Sequence, residues 1–224
     1  MLMLSTVFHT LLSGEYRRNR QAKLRIIVGA CEEDQYEGWI ATSKARLDLL
    51  READWANLEN SVDAILAEHV WEHLDCNAAI VAAQNCFNSL KPGGYIRVAV
   101  PDGLHPEEDY IDRVRPGGWG AGSDDHHVLY TYRTLKTVFE SVGFQVTLLE
   151  YFDERGTFYQ QEWTPADGMI SRSARFDSRN FTGELAYTSI IMDARRPAQE
   201  SGVASQLDQP HRRERELIGR DAAQ

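Results

Sequence analysis

Five short runs of branched or aromatic apolar residues are spaced along the chain. They are "KLRIIVGA" from Lys23, "SVDAILAEHV" from Ser61, "YIRVAVPD" from Tyr95, "QVTLLEYF" from Gln145 and "TSIIMDARRP" from Thr188. Short apolar runs bounded by turn residues are the pattern of strands buried on both faces. "WIATS", from Trp39, is a shorter sixth candidate. Between the runs lie two helical stretches. "NAAIVAAQNCFNSL" is rich in alanine, with apolar residues three and four apart. "TYRTLKTVFESVGF" places Leu135, Val138, Phe139 and Val142 on one face, and Gly143 can end it. "KPGG" at 91–94 breaks the first helix, because proline cannot continue it and the glycines permit a turn. Strands alternating with helices imply an α/β fold, a mostly parallel sheet with helices on both faces. Ligands of such sheets sit beyond the carboxyl ends of the strands, where the strand order reverses. That rule nominates residues 29–33, 42–44, 68–70 and 101–103.

The chain has 224 residues, enough for one domain with its own core. The periodic pattern runs from 23 to 197, after an N-terminal helical lead at 1–22 that ends in Arg17, Arg18 and Arg20. Residues 198–224 are polar and mixed in charge, the composition of a mobile tail. A formal net charge of -10 argues against a grip on nucleic acid or on an anionic membrane. No apolar run approaches the roughly 20 residues of a membrane span. The apolar start precedes its basic cluster, the reverse of a secretory signal. Three cysteines without C-x-x-C spacing suit reduced thiols, so a cytoplasmic protein is expected.

Two clusters of ionisable residues bear on chemistry. His69-Val-Trp-Glu72-His73 matches the H-x-x-E-H pattern of inverted zinc peptidases, which requires both histidines on one helix face. The segmentation instead puts His69 at a strand end and leaves His73 as a structural neighbour, so no metal is expected from this pair. The second cluster, "SDDHHVLY" at 123–130, lies in a long loop over 103–128. It either precedes a helix, where aspartates favour the positive end, or folds over the strand ends as a lid. In the second case His126 or His127 would act as general base toward a hydroxyl acceptor. Asp102, in Pro101-Asp102-Gly103, either orients a substrate or caps the turn.

Taken in order, the strand ending in Gly29, "GWI" with its second strand, "SVDAILAEHVWEHL", "LKPGGYIRVAVPD" and the late "GF" helix resemble the class I S-adenosylmethionine-dependent methyltransferases. The likeness is greatest to predicted members with "EHV-x-EHL" followed by "LKPGG", and covers about Lys23 to Pro197. The resemblance implies a Rossmann-like seven-stranded sheet with one reversed strand. It also implies S-adenosylmethionine across the ends of the first strands, beside Gly29, Ala30 and Cys31. Thr42 and Ser43 would then meet the ribose, Asp54 and Trp55 would wall the adenine, and Glu68 and His69 would line the methionine end. Two departures stand out. Cys31 takes the place of the second glycine of the family's G-x-G loop, where it could be reactive or merely narrow the loop. "ATSK" offers hydroxyls where the family places a ribose-binding carboxylate. The expected activity is methyl transfer to a small or medium acceptor, such as a sugar or metabolite hydroxyl. The competing expectation is a non-catalytic domain of the same fold, retained for binding or as a scaffold. Neither oligomeric state nor acceptor is specified by these residues.

Overall fold

The computed structural model describes residues 23–30, 36–181, 183 and 185–198. The expected lead at 1–22, Cys31 and the tail beyond Ala198 lie outside the described residues. Among the described residues seven strands are present: β1 Arg25–Ile27, β2 Ile40–Ala41, β3 Val62–Glu68, β4 Leu90–Pro101, β5 Gln145–Phe152, β6 Phe158–Gln160 and β7 Ser189–Arg195. They form one sheet in the order β2-β1-β3-β4-β7-β5-β6. The first four pair in parallel, while β7 is antiparallel to both β4 and β5, and β6 is antiparallel to β5. The expected Rossmann-like seven-stranded sheet is therefore present, with two strands reversed where one was anticipated. The extra reversal is β6, a short hairpin return within a stretch too polar to read as a strand.

Helices α1 Glu52–Trp55, α2 Cys76–Ser89, α3 Glu108–Val114 and α4 Tyr132–Ser141 complete the framework. Asp75 starts α2 by accepting the N–H groups of Asn77 and Ala78, each at 2.9 Å. Thr131 starts α4 through a reciprocal cap with Thr134. The "KPGG" break works as its chemistry requires. Gly93 takes φ +82°, and a side chain on Gly94 would stand 3.0 Å from the Lys91 carbonyl and 3.1 Å from that of Asp63.

One face of the sheet packs Ile26, Ile65, Ile96, Val98 and Met192 against Trp71 and the Leu135 and Phe139 ridge of α4. The opposite face packs Ile27, Leu66, Ala99 and Ile191 against Trp39, Trp163 and Ile170. Among the described residues this second cover is irregular chain with short 3-10 turns at Pro165–Asp167 and Ser178–Asn180, not α-helix. Arg97 holds it in place. Its guanidinium pairs with Asp193 at 2.7 and 2.9 Å and donates to the carbonyls of Thr164 and Gly168 at 3.0 and 2.8 Å. Glu150 holds the same segment further on, accepting from Trp163 Nε1 and from the Ala174 N–H. A charged pair inside the sheet thus substitutes for a covering helix and carries the chain back over the strand ends.

Candidate active site

The chain leaves β1 toward β2 on one side, yet β1 also borders β3 on the other. This is the switch point at which a crevice opens beyond the strand ends. A cavity of about 480 Å³ lies there, bounded by Gly29, Glu68, His69, Glu72, His73 and His126, and closed by Arg113, Arg172, Arg179 and Tyr187. A larger hollow of about 800 Å³ lies beside β6, away from these strand ends, with Glu150 and Trp163 in its wall.

Gly29 has φ +66°, and a Cβ there would fall 2.6 Å from Val70 Cγ2. Only glycine lets the end of β1 turn this closely past the chain leaving β3. His69 follows β3 directly and adopts φ +54°, a left-handed conformation costing on the order of 1 kcal/mol for such a residue. It is held there by an N–H donated to the Ala99 carbonyl at 2.8 Å. The turn breaks the geometry that the H-x-x-E-H pattern needs. β3 ends at Glu68 and a separate 3-10 turn, Trp71–His73, begins beyond His69, so the two histidines share no helix face.

The ring of His69 is oriented by its partners. Ser189 Oγ donates to the Arg172 carbonyl at 2.7 Å and sits 2.9 Å from His69 Nε2. With its only proton committed to that carbonyl, the hydroxyl accepts, so the proton of His69 is on Nε2. Burial first, then Arg172, His126, His73 and Arg179, keep the imidazole well below its usual pKa and therefore neutral. Its unprotonated Nδ1 lies 3.2 Å from Glu72 Oε1. Glu72 is fully buried, and neither carboxyl oxygen has a well-formed hydrogen bond. Burial pushes its pKa up to about 8.

On the facing wall, His126 donates Nδ1–H to the Val114 carbonyl at 2.7 Å, which leaves the Nε2 lone pair free. The imidazole of His73 stands edge-on to it, with ring centroids 4.8 Å apart. The Nδ1 of His73 is 3.3 Å from the Asp125 carbonyl and 3.4 Å from Asp125 Oδ2.

Of the residues nominated from sequence, Gly29, Glu68, His69 and His126 meet around this cavity. Ala30 continues the same strand end, its N–H donated to the Thr42 carbonyl at 2.9 Å. Ser43 is exposed beside it, whereas Thr42 is buried and spends its hydroxyl on the Ile27 carbonyl at 2.8 Å. Asp54 and Trp55 are buried inward. Asp54 accepts the Asp48 N–H and Trp55 donates to the Asp48 carbonyl, so the pair knits a turn and presents no open wall. Asp102 is fully buried, its oxygens taken by the N–H groups of Leu104 and Phe152 at 2.9 and 2.7 Å. This is the turn-capping alternative, extended to lock β4 to β5. The side chain of His127 is exposed and outside the cavity, while its N–H is donated to the Glu72 carbonyl at 2.7 Å.

Arg172, Arg179 and Tyr187 escaped the sequence reading because they lie far along the chain, in a stretch without periodicity. The available signal was "SRSARFDSRN", a basic cluster in an acidic chain. Glu68 fastens that stretch over the site by accepting the N–H groups of Ser171 and Arg172 at 3.1 and 2.7 Å.

An open sheet with this strand order and a polar cavity at its switch point defines a Rossmann-like α/β architecture with a ligand crevice. Residues 16–149 match the family model described as "Methyltransferase domain", so the chain belongs to that methyltransferase family. Solved structures are similar to the chain at low identity. An S-adenosylmethionine-dependent methyltransferase from Archaeoglobus fulgidus is 15% identical, with 84% of this chain and 94% of that one covered and a TM-score of 0.45. One from Mesorhizobium loti is 12% identical, with 83% and 98% covered and a TM-score of 0.45. No curated protein matches the chain. Among the described residues, no helix is long and apolar enough to cross a membrane.

Proposed function

We propose that the chain is an S-adenosylmethionine-dependent methyltransferase for a small or medium acceptor, such as a sugar or another metabolite hydroxyl. The observation that carries this reading is a strand-end glycine in forced close approach, opening onto a cavity whose far wall presents an unoccupied imidazole lone pair. The residues present fit the methionine end of the cofactor. Gly29 and Ala30 offer backbone without bulk, and Glu68 and His69 line the floor. The hydroxyl of Ser43 is the exposed polar group where the ribose would lie. When bound, the cofactor supplies an activated methyl group.

The chain's own contribution is mainly positional, since holding two reactants in line can supply roughly 7–11 kcal/mol of a barrier. Tyr187 and Arg172 close the cavity above His69, and the chain on either side of them is pinned by Glu68, Asn180 and Ser189. A hydroxyl seated between these walls meets His126 Nε2, the group placed to assist loss of its proton.

Calorimetric titration with S-adenosylmethionine and S-adenosylhomocysteine tests the reading. Both should bind one per chain. Absence of heat, together with no thermal shift at millimolar cofactor, would overturn it.

A further inference from the structure

The side chains of Glu72, His73 and His126 converge on one wall of the cavity, and one potential ligand atom from each lies within 4.8 Å of the others. We propose that these three residues form a binding site for a divalent transition-metal cation of the zinc type, on the acceptor side of the cavity. It is a different set from the His69 and His73 pair of the H-x-x-E-H pattern, because His69 Nε2 is engaged with Ser189.

Three independent features carry the assignment. The first is the donor set. Two imidazoles and one carboxylate, with a fourth position open to the cavity, is a recurrent arrangement for catalytic zinc and related cations. The second is the orientation of the rings. A metal-bound histidine nearly always donates its other N–H to a carbonyl or carboxylate. His126 already does so to the Val114 carbonyl, and His73 approaches both the carbonyl and the carboxylate of Asp125. In each ring this leaves Nε2 available to coordinate. The third is the orphan carboxyl of Glu72, fully buried, without a well-formed hydrogen bond and in the cavity wall. A cation would satisfy a buried acidic group that has no well-formed hydrogen bond among the described residues.

The remaining geometry is compatible. Tetrahedral coordination at roughly 2.1 Å separates ligand atoms by about 3.4 Å, so a set spread over 4.8 Å must close by about 1.4 Å at its widest. His73 and His126 are only partly buried and can make that adjustment. The nearby arginines do not leave the site uniformly positive. Arg179 is clamped to Asp177 at 2.6 Å, and Arg113 lies 3.7 Å from Asp109. The role of the open position rests on the methyltransferase reading. There it would take the acceptor oxygen, with His126 Nε2 then a ligand and no longer the base it is in the metal-free cavity, and the acceptor O–H would release its proton to water before the oxygen bonds to carbon. The site itself does not depend on that reading.

The test uses the full chain, stripped with a chelator and titrated with zinc chloride by calorimetry, and in parallel with cobalt followed by visible absorption. The wild type should take up one zinc per chain and give a cobalt ligand-field band. His73→Ala and His126→Ala should each weaken zinc at least 100-fold and abolish the band, while keeping the wild-type circular dichroism, since both rings are partly exposed. His127→Ala, the exposed neighbour, should bind as the wild type does. Uptake below a tenth of an equivalent, or wild-type affinity in both the His73 and His126 variants, overturns the site. Cofactor titration of the zinc-free protein separates the two readings. Zinc uptake without cofactor binding keeps the metal site and removes the methyltransferase assignment, and the opposite result does the reverse.

Discussion

Ser189 determines which nitrogen of His69 carries the proton. Its hydroxyl is spent on the Arg172 carbonyl at 2.7 Å, so at 2.9 Å from Nε2 it can only accept. β7, which carries Ser189, runs against its neighbours, and that reversal brings its first residue to the carboxyl end of β3. Ser189→Ala should free the ring to exchange tautomers. Nitrogen-15 spectra of His69 should move from a single Nε2–H pattern toward averaged shifts. Stability should fall by about 1 kcal/mol, the usual net worth of one such hydrogen bond. An unchanged nitrogen spectrum would refute the proton assignment.

Gly29→Ala combines two penalties that can be separated. The backbone penalty comes from φ +66°, and the steric one from a Cβ 2.6 Å from Val70 Cγ2. The single variant should lose about 2 kcal/mol or more in denaturant unfolding, from strain plus overpacking. Adding Val70→Ala removes the contact and leaves the backbone term. Corrected for the Val70→Ala single variant, the double should recover part of the loss, a coupling of about 1 kcal/mol. Additivity would mean that Val70 simply moves aside.

The fold was legible wherever periodicity was strong. "SVDAILAEHV" became β3, and the Leu135 and Phe139 stripe became the buried ridge of α4. α3 was hidden because its seven residues carry only Tyr110, Ile111 and Val114 as apolar anchors and border a glycine-rich turn. In the site, strand-end logic nominated Gly29, Glu68 and His69, and the reading of the long loop nominated His126; all four line the cavity. Asp54 and Trp55 came from the resemblance alone, and the one-turn helix that carries them buries both. The cavity's cover had no local signal, because the contacts joining Glu68 to Arg172 span 104 residues.

Arg97 couples core to site. Its guanidinium holds Asp193 and two carbonyls of the 164–168 segment, and it is almost fully buried. Removing one partner of a buried pair typically costs about 3–5 kcal/mol. Arg97→Ala should show that loss in unfolding. It should also speed amide exchange at Ser171 and Arg172, whose N–H groups rest on Glu68 just beyond the clamp. A stability loss with unchanged exchange at those two amides would mean that the cover is held from its far end.

Asp102 and His105 lie three residues apart, and their stability contributions oppose each other in one pH window. Burial raises Asp102 from 3.8 to about 6, so the folded state binds its proton more tightly, and that contribution is lost as pH rises through 6. Burial lowers His105 from 6.5 to about 4, so the unfolded chain binds its proton more tightly, and that contribution is lost as pH falls from 6.5 toward 4. Together the two partly flatten the profile. His105→Phe keeps an aromatic ring against Tyr110 and Phe152 but cannot titrate. Relative to wild type it should gain stability as pH drops from 7 to 5, by up to about 2 kcal/mol from the unfolded-state proton it no longer binds. With the histidine gone, the aspartate contribution stands alone at this position. Urea unfolding at pH 7, 6 and 5 measures the gain, and a constant difference between the two proteins would mean that His105 titrates alike folded and unfolded.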